Sequence, residues 1–171
     1  MSGRTLNKIR AIVPAAGNSE RFGGSMPKQY CALNGKPVII HTLERLNSVG
    51  RIESIQVGLS PDDQIWSSLR GIPSKVSDVF CGGPPRAETV LQGLKNLPES
   101  YSSNEWVLIH DAARPCVSIE SIHELIGRVL SSDQGGLLAV PEWETLKRAD
   151  SKGMVIDTVD RNSLWRAQPP Q

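Results

Sequence analysis

Aromatic residues make up only 5% of this 171-residue chain, and Lys+Arg exceed Asp+Glu by one, 19 against 18. So balanced a charge excludes a binder of nucleic acid driven by a strongly basic surface. The three cysteines, Cys31, Cys81 and Cys116, lie far apart with no Cys-x-x-Cys, which excludes a disulfide framework and a zinc ribbon and leaves reduced, buried thiols as the expectation. No apolar run approaches the roughly 18 residues that span a bilayer, and the N-terminus carries no signal-peptide core; the expected setting is cytoplasmic, away from membranes. Internal repeats and low-complexity linkers are missing too. The length suits one domain spanning 1–171 with one core.

What is present is an alternation. Short runs rich in branched apolar residues recur at 9–13, Ile52–Leu59, 76–80, 106–109 and 136–140, each suited to a strand buried on both faces. Helical spacing fills the gaps at 38–46 behind Pro37, 62–69 behind Pro61, 87–97, and 119–130 with Ser118 as cap. Strand and helix in turn predict an α/β, Rossmann-like, mostly parallel sheet with helices on both faces, whose ligand crevice lies beyond the carboxyl ends of its strands. After Val140, runs at 145–149 and 154–159 flank Asp150-Ser151-Lys152-Gly153 and read as a β-hairpin arm at about 141–161. The end, Arg166 to Gln171, carries no recognisable cap, closing strand or amphipathic helix; the domain is expected to be truncated there.

Three strands are followed by loops whose residue types suit an anionic ligand. Residues 13–28 combine small residues, Pro14-Ala15-Ala16-Gly17 and Gly23-Gly24, with Arg21 and Lys28. Backbone N–H groups of such a loop can approach phosphate closely, and the two cations can neutralise it. Neither the P-loop nor the G-x-G-x-x-G spacing is matched, which argues against an ATPase and against NAD. The second loop, Gly82-Gly83-Pro84-Pro85-Arg86-Ala87-Glu88-Thr89, has paired glycines that admit a flat base, with Arg86 and Thr89 placed to reach its edge or to fix the loop. The third, His110-Asp111-Ala112-Ala113-Arg114-Pro115, offers a carboxylate for a ribose hydroxyl or a hard cation and a guanidinium for a second phosphate. His110 reads as a packed structural residue.

Together, Pro14-Ala15-Ala16-Gly17-x-Ser19-x-Arg21-Phe22, Pro27-Lys28-Gln29-Tyr30, Gly82-Gly83-x-x-Arg86-x-x-Thr89, His110-Asp111-Ala112-Ala113-Arg114-Pro115, Thr145-x-Lys147-Arg148 and Thr158-Val159-Asp160-Arg161-Asn162-x-Leu164-Trp165 closely resemble the 2-C-methyl-D-erythritol 4-phosphate cytidylyltransferase family, over nearly the whole chain. The resemblance implies attack by the phosphate of methylerythritol phosphate on the α-phosphorus of CTP, with release of pyrophosphate and Mg²⁺ as cofactor, in non-mevalonate isoprenoid biosynthesis. It implies Arg21 and Lys28 as catalytic residues at the triphosphate. It also implies Pro14, Ala15, Ala16, Gly17, Gly82, Gly83, Arg86, Thr89 and Ala112 around the nucleotide, and Asp111, Arg114 and Thr145 near the second substrate. Arg161, on the arm, is implied as a third catalytic residue that reaches into a partner's site and positions the attacking phosphate, which makes the enzyme a homodimer with the arm as its dimerisation element. The resemblance assigns no direct metal ligand.

Two departures stand out. Pro169-Pro170-Gln171 replaces the family's Thr-Pro-Gln and following aromatic, and the family's C-terminal segment, with its further substrate-positioning lysine, is not in this sequence. The competing expectations are a ribitol 5-phosphate cytidylyltransferase on the same fold, and an inactive module that binds CTP or dimerises without turnover.

Overall fold

The computed structural model describes residues 9–17, 26–101 and 105–171. Four parallel strands form its centre: β1 (Ile9–Pro14), β4 (Ile52–Leu59), β5 (Val76–Cys81) and β6 (Val107–Ile109), in spatial order β5-β4-β1-β6. Between β1 and β4 the chain forms a small hairpin, β2 (Ala32–Leu33) and β3 (Lys36–Pro37). Its turn, Asn34-Gly35, holds both residues at positive φ, 49° and 74°, the conformation a two-residue primed turn demands.

Strand alternation decides what each face of β1 meets. Ile9, Ala11, Val13 and Ala15 join one buried cluster with Ile39, Ile40, Leu43 and Leu46 of helix α1 (Val38–Asn47) and Ile122 and Ile126 of helix α3 (Ile119–Ser132). Ile12 points the other way, against Gly93 of helix α2 (Arg86–Lys95), where a Cβ would stand 2.8 Å from its Cγ2. Helices therefore cover both faces, as the alternation predicts. The expected cap of α3 is present, with Ser118 Oγ accepting the Ser121 N–H at 3.0 Å. Pro37 is the residue capping α1.

Four expectations need correction. Residues 62–69 form no α-helix: Asp63 Oδ1 accepts the N–H groups of Ile65 and Trp66 at 3.0 and 2.9 Å. This competes with helical bonding and leaves one 3₁₀ turn at Trp66–Ser68. β5 is an exposed edge strand, not one buried on both faces. β6, also expected to be buried on both faces, is the opposite edge of the four strands. The run at 136–140 becomes β7 (Leu138–Pro141), which pairs antiparallel with β10 (Trp165–Gln168) in a separate, largely exposed ribbon.

The same ribbon corrects the expectation of an unpaired ending. Beyond β10, Gln171 exchanges both backbone hydrogen bonds with Ile109, at 2.8 and 3.0 Å, and Leu138 N–H reaches Pro170 O. The predicted arm is present as β8 (Leu146–Ala149) and β9 (Val155–Val159), antiparallel around a turn in which Asp150 Oδ1 accepts the N–H groups of Lys152 and Met154. The cysteines are free as expected, but only Cys31 is partly buried; Cys81 and Cys116 are exposed. Among the described residues no helix is long and apolar enough to cross a membrane.

Candidate active site

The loop after β1 leaves the sheet while still tied to it, Ala15 N–H donating to Gly58 O at 2.7 Å. The buried Gln29 then holds the loop from outside the strand: its Nε2 donates to Ala15 O at 2.7 Å and to Gly17 O at 3.3 Å. The N–H groups of Ala16 and Gly17 have no partner among the described residues, which fits backbone meant for an anion. Lys28 is exposed in a 3₁₀ turn, Lys28–Tyr30. Arg21 lies outside the described residues. Tyr30 anchors the turn, with its ring buried and its hydroxyl donating to Asp63 Oδ2; burial first, and then Asp63, raises its pKa far above the ordinary tyrosine value.

The loop after β5 comes alongside. Gly82 N–H continues the ladder to Leu59 O, and the space for a Cβ on Gly82 is already filled by Thr89 Cγ2 at 2.7 Å and Ala16 Cβ at 2.8 Å. Only glycine lets the first and second loops meet this closely. Of the two roles expected for Thr89, its geometry supports fixing the loop: the side chain is buried, accepts Gly83 N–H at 3.1 Å and donates to Gly83 O at 2.9 Å. Pro85 caps α2, and Arg86 opens it.

Arg86 connects this loop to the one after β6, its Nε donating to Asp111 Oδ1 at 2.8 Å. Asp111 Oδ2 lies 3.4 Å from Arg114 Nε, and Arg114 Nη1 donates to Gln168 Oε1 at 2.6 Å. One carboxylate therefore stands between two guanidinium groups, all partly exposed, so these pairs serve more to orient the arginines than to stabilise the fold. Ala112 belongs to the core, its carbonyl taken by Thr42 Oγ1 of α1 at 2.9 Å. His110 is structural as expected. Its ring is fully buried, and Nε2 lies 2.9 Å from Arg114 O, while Nδ1 has no partner among the described residues. Burial lowers its pKa, outweighing the opposing pull of the Arg114 carbonyl and Asp111, so Nε2 carries the proton and donates to that carbonyl.

Two expected residues stand apart. Thr145 is exposed at the start of the arm, and Arg161 Nη1 donates to Trp143 O at 2.6 Å within the same protomer; among the described residues neither bonds to the three loops. Sequence reasoning missed Gln29 and Gln168. Gln29 stands inside a recognised motif, yet nothing in Pro-Lys-Gln-Tyr says which way an amide points. Gln168 reaches Arg114 only because β10 folds back. No cluster of three metal-ligating side chains occurs among the described residues; Asp111 is a lone carboxylate, which suits a cation bound chiefly by phosphate oxygens.

The family model for 2-C-methyl-D-erythritol 4-phosphate cytidylyltransferase matches residues 9–171. The chain belongs to that family. It is 47% identical over 163 residues to the 2-C-methyl-D-erythritol 4-phosphate cytidylyltransferase of Azoarcus sp. (strain BH72), covering 94% of this chain and 69% of that one. To the enzyme of the same name from Vibrio vulnificus (strain YJ016) it is 42% identical over 168 residues, covering 98% and 71%. The crystal structure of a 4-diphosphocytidyl-2C-methyl-D-erythritol synthase superposes with a TM-score of 0.83 at 36% identity, over 96% of this chain and 73% of that one. As a cytidylyltransferase-family member the chain is a nucleotidyltransferase of isoprenoid biosynthesis, and the family's Rossmann-like sheet is the one described above.

Proposed function

We propose that this chain joins CTP to 2-C-methyl-D-erythritol 4-phosphate, giving 4-diphosphocytidyl-2-C-methyl-D-erythritol and pyrophosphate. The observation that carries the reading is the meeting of three strand-end loops in a chain of this family: Ala16 against Gly82, and Arg86 joined to Arg114 through Asp111. The chemistry asks little of a protein base. A phosphomonoester has its second pKa near 6, so the attacking phosphate is already anionic at neutral pH. What remains is orientation and positive charge. Lys28 and Arg21 supply charge at the triphosphate. The N–H groups of Ala16 and Gly17 meet phosphate oxygens, with Pro14 and Ala15 behind them. Gly82, Gly83 and Arg86 border the cytosine, with Thr89 holding the loop in shape and Ala112 forming the floor.

Asp111, Arg114 and Thr145 receive methylerythritol phosphate. A Mg²⁺ ion, bound by Asp111 and by the nucleotide's own oxygens, would supply further neutralisation of the triphosphate. The homodimer through the arm is supported by its exposed apolar side chains, Met154, Val155 and Ile156, each more than 60% accessible in the single chain. In that assembly Arg161 would exchange Trp143 O for a phosphate in the partner's site. A cytoplasmic setting, with no nucleic-acid or membrane partner, goes with this metabolic role.

The deciding experiment is pyrophosphate release from CTP and Mg²⁺ with methylerythritol phosphate or ribitol 5-phosphate as acceptor. Release with the former alone is expected. Preference for ribitol phosphate would move the chain to the sister chemistry, and tight CTP binding by a folded dimer without turnover would make it a binding module.

A further inference from the structure

We infer that Gln29 is a positioning residue for cytidylyl transfer: its side-chain amide clasps the two ends of the first loop and fixes the Lys28 ammonium relative to the backbone at Ala15, Ala16 and Gly17. The inference rests on the function proposed above. Gln29 is only 4% exposed, and both of its amide hydrogens are engaged, one on Ala15 O and one on Gly17 O. Those carbonyls lie just past the end of β1, where the parallel ladder has stopped supplying partners. Among the described residues Gln29 alone takes them. A peptide unit is planar and trans, so its C=O and N–H point in opposite directions. With Ala15 O turned onto Gln29, the Ala16 N–H is turned away from the clasp, and it is one of the two N–H groups without a partner among the described residues.

The other end of the clasp is equally firm. Gln29 is the middle residue of the turn Lys28–Tyr30, and Tyr30 is buried and bonded to Asp63. Lys28 is thus attached directly to a residue whose main chain is fixed by the core and whose side chain grips the opposite side of the loop. A charged group that must meet a transferring phosphoryl gains from such support, because displacement by about 1 Å can cost on the order of 10²-fold in rate.

Gln29→Met keeps length and volume while removing both donors; Gln29→Glu keeps shape and sets an acceptor against two carbonyls. The measurements are the single-turnover rate of pyrophosphate release at saturating CTP and methylerythritol phosphate, per folded site, and the CTP dissociation constant. Gln29→Met should lower the rate about 10- to 100-fold with CTP binding little changed and the melting temperature lowered by several degrees, since two carbonyls lose their donor. Gln29→Glu should be slower still. If Gln29→Glu fails to fold, Gln29→Met alone decides. An unchanged rate for folded Gln29→Met would overturn the inference, as would weakened CTP binding at an undiminished rate, which would make the amide a determinant of ground-state affinity. Wild-type protein without turnover sinks the underlying functional reading instead, so the two failures are told apart.

Discussion

Replacing Gly82 with alanine tests whether the nucleotide pocket depends on close contact between two loops. The new Cβ would stand 2.7 Å from Thr89 Cγ2, 2.8 Å from Thr89 Oγ1 and 2.8 Å from Ala16 Cβ. An ordinary carbon contact needs about 3.5–4.0 Å, so the loops must part by roughly 1 Å. Neither neighbour yields easily: Thr89 is locked to Gly83 by two hydrogen bonds, and Ala16 Cβ moves only with its backbone. Overpacking of this kind costs about 1–3 kcal/mol, or roughly 2–12 °C in melting temperature for a chain of this size. Moving the first loop should also weaken CTP binding. Two neighbouring glycines serve as controls. A Cβ on Gly83 meets chiefly the flexible Glu88 side chain, and one on Gly17 meets nothing within 4 Å. Thermal melting of the three alanine variants should give a large effect at Gly82, a smaller one at Gly83 and almost none at Gly17, and calorimetric titration of Gly82→Ala should show weakened CTP binding. Equal behaviour at Gly82 and Gly17 would refute the argument that contact between the loops shapes the pocket.

Lys28→Ala should lower kcat by about 10²–10³, the scale for removing a preorganised donor to developing charge, in a steady-state pyrophosphate assay; near-normal turnover would remove Lys28 from the chemistry. Mixing inactive Arg161→Ala with inactive Lys28→Ala protein should restore roughly a quarter of wild-type activity once subunits exchange, since each mixed dimer of a two-fold assembly rebuilds one intact site. No recovery despite demonstrated exchange would rule out the shared site. His110, whose folded pKa lies below its unfolded value of about 6.5, binds protons later in the folded state. Its contribution is therefore intact above about pH 6.5 and is lost as pH falls toward the depressed value, at up to about 1.4 kcal/mol per pH unit. Denaturant titrations at stepped pH should show that slope in the wild type and its absence in His110→Gln; identical slopes would contradict it.

The four strands of the central sheet and the helices α1, α2 and α3 were legible because their apolar spacing is set by burial, and burial is what the structure obeys at Ile12, Ile55, Leu43 and Ile122. The stretch 62–69 was not, because a helical apolar spacing cannot reveal that Asp63 will bond to its own neighbours. Nor does a branched apolar run distinguish a strand between two helices from one that pairs antiparallel at the surface, as at Leu138–Pro141. At the site, the loops were legible because an α/β sheet puts ligands where strands end. The bonds that tie them together, Arg86 to Asp111 and Gln29 to Ala15, depend on which strands become neighbours and on side-chain direction, neither of which residue spacing encodes.

The ribbon of β7 and β10 is also a mechanical stem. The arm leaves from one of its strands and returns to the other, with Glu142 N–H on Leu164 O and Arg166 beside Glu142 closing its root. The far end of the stem is stitched to Ile109, and Gln168 grips Arg114. A force applied to the arm therefore runs along a continuous path of hydrogen bonds into the loop that bears Asp111 and Arg114. Whatever rests against the arm bears on the geometry of those two side chains as well as on the sheet.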